Sequence, residues 1–201
     1  MYRIAVDGKP LGYIRAEDIL QVNISIGKSI DVSTYTELVN RVKYTSFLNI
    51  ALGYASRRLH SKEEVINHIK VKGCSLIIAR EIADRLCAVG IIDENKLAQA
   101  YVRDAQIKGT VSKKALELKL KKKRINPKII AVALNTSKLN ETNALDVLIG
   151  KKRNQQSYQE NPARLFRYLL SKGFSFNDIA ARIGTPASGH NRISGRKTPF
   201  E

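Results

Sequence analysis

Three eight-residue stretches recur along this chain without a gap, and that recurrence limits the possible folds more than any other feature of the sequence. They are His68-Ile-Lys-Val-Lys-Gly-Cys-Ser75, Lys119-Leu-Lys-Lys-Lys-Arg-Ile-Asn126 and Tyr168-Leu-Leu-Ser-Lys-Gly-Phe-Ser175, spaced 51 residues (68 to 119) and then 49 residues (119 to 168) apart. Each places an apolar residue (Ile69, Leu120, Leu169) before a basic one (Lys72, Lys123, Lys172). A helix terminator follows, then a capping residue at Ser75, Asn126 or Ser175. Ser and Asn accept hydrogen bonds from the free N–H groups of a helix start, and glycine adopts the left-handed state that closes a helix. Gly73 and Gly173 suit that state. Arg124 in the same slot would cost about 1–2 kcal/mol, so the middle turn is expected to be built differently. A period near 50 residues predicts stacked helical units forming an elongated, curved body.

Around these landmarks the chain reads as mainly α, with three tandem three-helix repeats. The first repeat, 46–90, has helices over 47–60, 62–72 and 76–89; Ser61-Lys-Glu-Glu64 is a capping box. The second, 91–138, has helices over 94–108, 113–123 and 127–136, with Asp93 and Asn126 as caps and Pro127 at the first helical position. The third, 139–183, has helices over 141–153, 162–172 and 176–183. Residues 1–45 differ. Tyr2, Ile4 and Val6 alternate with Arg3 and Ala5, and Asp7-Gly8 signals a hairpin turn with 11–14 returning. A short helix over 35–43 completes this lead-in. The segment 184–201 has almost nothing to bury and is expected to be a disordered basic tail.

The search for chemistry returns little. Gly27-Lys28-Ser29 resembles the end of a phosphate-binding loop, but Val22 stands where that motif needs glycine. His60 and His68 fall on different helices and His190 lies in the tail, so none has a zinc-ligand partner at helical spacing. Cys74 and Cys87 have no histidine at catalytic spacing and form no staple pattern. No apolar run approaches the roughly 20 residues that span a bilayer. The expectation is a non-enzymatic cytoplasmic monomer with no cofactor, no metal and no membrane contact.

Charge supplies the positive signal. Thirty-five basic residues against 18 acidic ones give a formal net charge of +17, which favours polyanionic partners. No acidic residue lies between Glu117 and Glu141, where Lys119, Lys121, Lys122, Lys123, Arg124 and Lys128 fall. Lys151-Lys152-Arg153 and Arg57-Arg58 add two clusters, and Lys72 and Lys172 close equivalent helices. An isolated cluster is usually a solvated helix face. Recurrence at equivalent helix ends makes these thirteen residues the candidate surface for a partner or nucleic acid.

Ala51-Leu-Gly-Tyr-Ala-Ser-Arg-Arg-Leu-His-Ser-Lys-Glu-Glu-Val65 resembles the opening of the first repeat of the RecX family. Gly90-Ile-Ile-Asp-Glu-Asn-Lys-Leu-Ala98, with Tyr101, Val102 and Gly109, is similar to the start of its second, and Leu169-Leu-Ser-Lys-Gly-Phe174 with Ile179 to its third. Ile4-Ala-Val-Asp-Gly8 resembles the strand that precedes the helices in many members, so the likeness spans roughly 2–183. The pattern departs at Ala105, Val111 and Arg124, where the family carries Arg, Gly and Gly. The resemblance implies a regulator without catalysis, acting in recombination, DNA repair and the SOS response. It would bind the RecA filament on DNA, touching DNA directly or through the filament. It would thereby restrain filament growth, strand exchange, ATP turnover and LexA cleavage. A rival is a helix-turn-helix DNA reader built from residues 173–197, with 186–197 as the recognition helix and Arg192 or Arg196 meeting guanine.

Overall fold

The computed structural model describes residues 1–185, and within them the chain forms eleven helices and one two-stranded sheet. The expected disordered tail, beyond its first two residues, and the rival's recognition helix over 186–197 lie outside the described residues. Contacts divide the chain into two compact units. Unit 1 comprises Met1–Tyr101 and Lys119–Asn135, and the described part of unit 2 comprises 102–118 and 136–185.

The lead-in forms as the alternation requires. Strands β1 (Tyr2–Val6) and β2 (Lys9–Ile14) pair antiparallel around Asp7 and Gly8. Both turn residues have positive φ, 50° and 76°, the state that matches the twist of a two-residue hairpin. Helix α1 (Ala16–Val22) follows. Buried Asp18 fastens it, accepting two hydrogen bonds from Arg15 at 2.7 and 3.0 Å and one from Arg41 at 2.9 Å.

Helix α2 corrects the sequence reading. It runs unbroken from Val32 to Ala55, so there is no separate helix over 35–43 and the expected boundary at 45/46 falls inside one element. Asp31 caps it, accepting from the Thr34 N–H at 2.7 Å. Its buried side is Leu38, Val42, Thr45, Leu48, Ala51 and Ala55, a helical stripe in which one polar residue hides the continuity. The first part packs with Ile14 and the hairpin. The second packs with α3 (Lys62–Val71) and α4 (Leu76–Ala88) around Val65, Ile69, Ile82 and Leu86.

Then come α5 (Glu94–Lys108), α6 (Lys113–Lys122) and α7 (Pro127–Asn135). In unit 2, α8 (Glu141–Arg153), α10 (Pro162–Ser171) and α11 (Phe176–Ile183) enclose Leu145, Leu165, Phe166, Leu169 and Ile179. A short helix α9 (Gln156–Gln159), absent from the sequence reading, bridges α8 to α10. Among the described residues no strand occurs between 60 and 180.

The three equivalent turns are built alike, which corrects the expectation for the middle one. The N–H groups of Cys74, Ile125 and Phe174 donate to the carbonyls of Ile69, Leu120 and Leu169 at 3.2, 3.4 and 3.4 Å. Those of Gly73, Arg124 and Gly173 donate to Lys70, Lys121 and Leu170 at 2.9, 2.8 and 2.9 Å. This double closure is the Schellman motif. Arg124 adopts φ 54° as the glycines adopt 93° and 86°, so an arginine takes the left-handed state and bears its strain.

Candidate functional site

The middle helices α3 and α6 begin alike. Ser61 accepts from the Glu64 N–H at 3.3 Å while Glu64 accepts from the Ser61 N–H at 3.0 Å, the reciprocal box expected from the sequence. Ser112 accepts from the Ala115 N–H at 3.0 Å. In both cases the next N–H goes to the glutamate that opens a later helix: Lys62 donates to Glu94 at 3.1 Å and Lys113 to Glu141 at 2.9 Å. A carboxylate at a helix N-terminus also complements its dipole.

A left-handed turn docks on each of these helix starts, and the docking reassigns two of the candidate cations. In unit 1, Lys123 Nζ lies 2.5 Å from Glu64 and Arg124 lies 3.4 Å from Glu63. In unit 2, the Ser112 hydroxyl donates to the Lys172 carbonyl at 2.7 Å, and a Cβ on Gly173 would fall 2.7 Å from Ser112 Oγ. Glycine is required where a Cβ would strike the Ser112 hydroxyl and the start of α6. Where long side chains span the gap, arginine serves. Burial pushes the Glu64 carboxyl upward, but hydrogen bonds from Lys123 and the Ser61 N–H outweigh it and hold the group below its ordinary range. Arg58 joins the same carboxylate at 3.6 Å.

A second recurrence links His68, Lys119 and Tyr168, the leading residues of the three sequence segments. His68 stacks on Tyr54 with centroids 3.9 Å apart, and His60 meets the same tyrosine at 3.9 Å. Lys119 sits 4.6 Å from the centre of the Tyr101 ring. Lys152 and Lys172 lie 5.6 and 5.1 Å from the centre of Tyr168. A cation over an aromatic face is attracted by the ring quadrupole. The sequence reading missed the Tyr54–His60–His68 stack, although the register of His68 with Lys119 and Tyr168 was its available signal. His60 is almost fully buried, its Nδ1 without a hydrogen-bond partner and 3.7 Å from Glu64, and burial foremost, with Arg58 next, holds its imidazole below the ordinary range.

The other candidates divide simply. Arg57, Lys72, Lys119, Lys121, Lys122, Lys128, Lys151, Arg153 and Lys172 are exposed, and Lys152 is half-buried. Within unit 2, Lys152 and Lys172 are brought together on one ring. Burial pushes the thiols of Cys74 and Cys87 upward, keeping them protonated and poorly nucleophilic. Among the described residues no cluster of three His, Cys, Asp or Glu side chains could hold a metal, and no helix is long and apolar enough to cross a membrane.

Comparison with known proteins gives this arrangement a context. The chain is 24% identical over 183 residues to regulatory protein RecX of Geobacillus thermodenitrificans, covering 89% of this chain and 68% of that protein. It is 25% identical to regulatory protein RecX of Finegoldia magna, covering 90% of each. The chain is similar to the RecX family. A crystal structure of regulatory protein RecX superposes with a TM-score of 0.70 at 19% identity, over 90% of this chain and 91% of that one, so the fold is shared as well. No family model matches the chain.

Proposed function

We propose that this RecX-like chain binds the RecA filament on DNA and restrains it without catalysing a reaction. The reading rests on one observation: the exposed cations Arg57, Lys72, Lys119, Lys122, Lys128, Lys151, Arg153 and Lys172 have no ion pair among the described residues. A folded domain gains little stability from an exposed cation without an ion pair, whereas a polyanionic filament gains affinity from each one. Lys123 and Arg124 leave the partner surface in this proposal, because their carboxylate partners lie within unit 1; Arg58, 56% exposed and only loosely placed 3.6 Å from Glu64, stays on it. The repeats 46–90, 91–138 and 139–183 are the proposed structural units, with α2 entering the first from the lead-in. RecA recognition itself is carried by the family likeness.

The test is a pull-down with purified RecA filaments on single-stranded DNA, set against naked DNA and RecA alone. Preferential retention by the filament, with reduced RecA ATP turnover, is the expected outcome. Equal retention on naked DNA with unchanged ATP turnover would replace the proposal with simple nucleic-acid binding.

A further inference from the structure

Unit 1 carries an open depression of about 710 Å³ where the end of α2 meets the chain after α4. Leu52, Gly53, Ala55, Leu59 and Ile91 form its apolar wall, and Arg58 stands at its rim. Leu59 and Ile91 are 37% and 40% exposed, large apolar side chains left partly open to water.

Gly53 is the informative residue. It lies inside α2, where glycine is the least favourable residue apart from proline. Packing does not demand it, since a Cβ there would meet nothing within 4 Å and its φ is not positive. Its effect is to leave the wall of the depression open.

The rim is one-signed. Arg58 donates to the Leu59 carbonyl at 3.1 Å, which fixes its guanidinium beside the opening, and its side chain remains 56% exposed. Arg57 is exposed and without an ion pair among the described residues. Among the described residues no carboxylate lines the depression. The neighbouring acids are held mainly by other cations: Glu64 by Lys123 at 2.5 Å, with Arg58 at a looser 3.6 Å, and Asp93 by Lys96 at 3.4 Å.

We infer that this depression is a docking site for an acidic peptide segment of a partner protein, which inserts one large apolar side chain against Leu52, Gly53 and Ile91 while its carboxylates meet Arg57 and Arg58. The segment's charge is dictated by the rim, and its apolar anchor by the wall. This goes beyond the filament reading and stands on the geometry of unit 1 alone, so it can fail while the RecA pull-down succeeds.

Fluorescence anisotropy tests it on the full chain with two labelled Asp/Glu peptides, one with a central Phe and one with Ser in its place. The Phe peptide should bind roughly tenfold tighter or more, the equivalent of burying most of that side chain. Gly53→Leu should fill the depression and erase this preference while the thermal midpoint holds or rises, because leucine is the better helix former. Arg57→Gln should weaken both peptides alike. Equal affinity of the two peptides for the unmodified chain would overturn the inference, as would a Phe preference that survives Gly53→Leu. Self-association of the free chain that Gly53→Leu abolishes would also overturn it, by giving the depression to a second copy.

Discussion

Positions 73, 124 and 173 share one backbone state but not one environment. A side chain on Gly73 would meet open space, whereas on Gly173 it would strike Ser112 Oγ at 2.7 Å and the Ala115 nitrogen at 3.2 Å. Gly173→Ala combines left-handed strain with overpacking and should lose about 2–4 kcal/mol. Arg124→Gly relieves about 1–2 kcal/mol of strain. Glycine's freedom in the unfolded chain and the removal of an exposed ion pair offset that, leaving a net change within about 1 kcal/mol. Urea midpoints at unchanged slope would measure both; comparable losses at the two sites would refute the different docking modes. His60 gives a pH signature. Its imidazole is held below the ordinary range, by burial first and by Arg58, Lys123 and His68 in addition, against an opposing pull from Glu64. Below about pH 6.5 the unfolded chain therefore binds a proton that the folded chain resists, and stability falls as pH drops through that value. His60→Gln should flatten this slope, and parallel stability curves for the two proteins between about pH 7.5 and 5.5 would discard the linkage.

Helix α2 is the element that joins two cores. Leu38 and Val42 belong to the hairpin cluster, while Leu48, Ala51 and Ala55 belong to the cluster with α3 and α4. Between them sits Thr45, 1% exposed, with a hydroxyl that has no hydrogen-bond partner among the described residues. Burying an unpaired hydroxyl costs about 1–3 kcal/mol, and valine has nearly the same shape and a similar helix propensity. Thr45→Val should therefore stabilise the protein by about 1 kcal/mol, read as a higher urea midpoint. A drop in stability would mean that the hydroxyl is satisfied.

Across the whole molecule the basic residues split into a paired set and an unpaired set, and the two should respond oppositely to neutralisation. Replacing Lys72, Lys119, Lys122 and Lys128 with Gln should leave stability within about 0.5 kcal/mol per site. Under the proposed function, restraint of RecA should weaken and become less dependent on salt, the logarithmic slope falling by about 0.7 for each phosphate on single strands that is no longer neutralised. Replacing Lys123 and Arg124 should instead cost on the order of 1 kcal/mol through Glu64 and Glu63 and leave that slope unchanged. Undiminished restraint by the first variant at every salt concentration would remove the unpaired cations from the working surface.

The sequence alone determined what depends on neighbours within a turn or two. The Asp7-Gly8 hairpin, the capping box at Ser61–Glu64, the caps at Ser75, Asn126 and Ser175 and the helical period are all local, and all were legible. The continuity of α2 was less so, because Thr45 occupies an apolar position in its stripe. What no local signal could supply was the destination of each turn. Lys123 finds Glu64 across 59 positions, and Ser112 finds the Lys172 carbonyl across 60. Those interactions decide that Lys123 and Arg124 hold the fold, that Gly173 tolerates no side chain, and that Arg57 and Lys72 remain without an ion pair among the described residues. Only packing of the helices brings such distant groups within hydrogen-bond range, so the division of cations between structure and surface belongs to the tertiary fold.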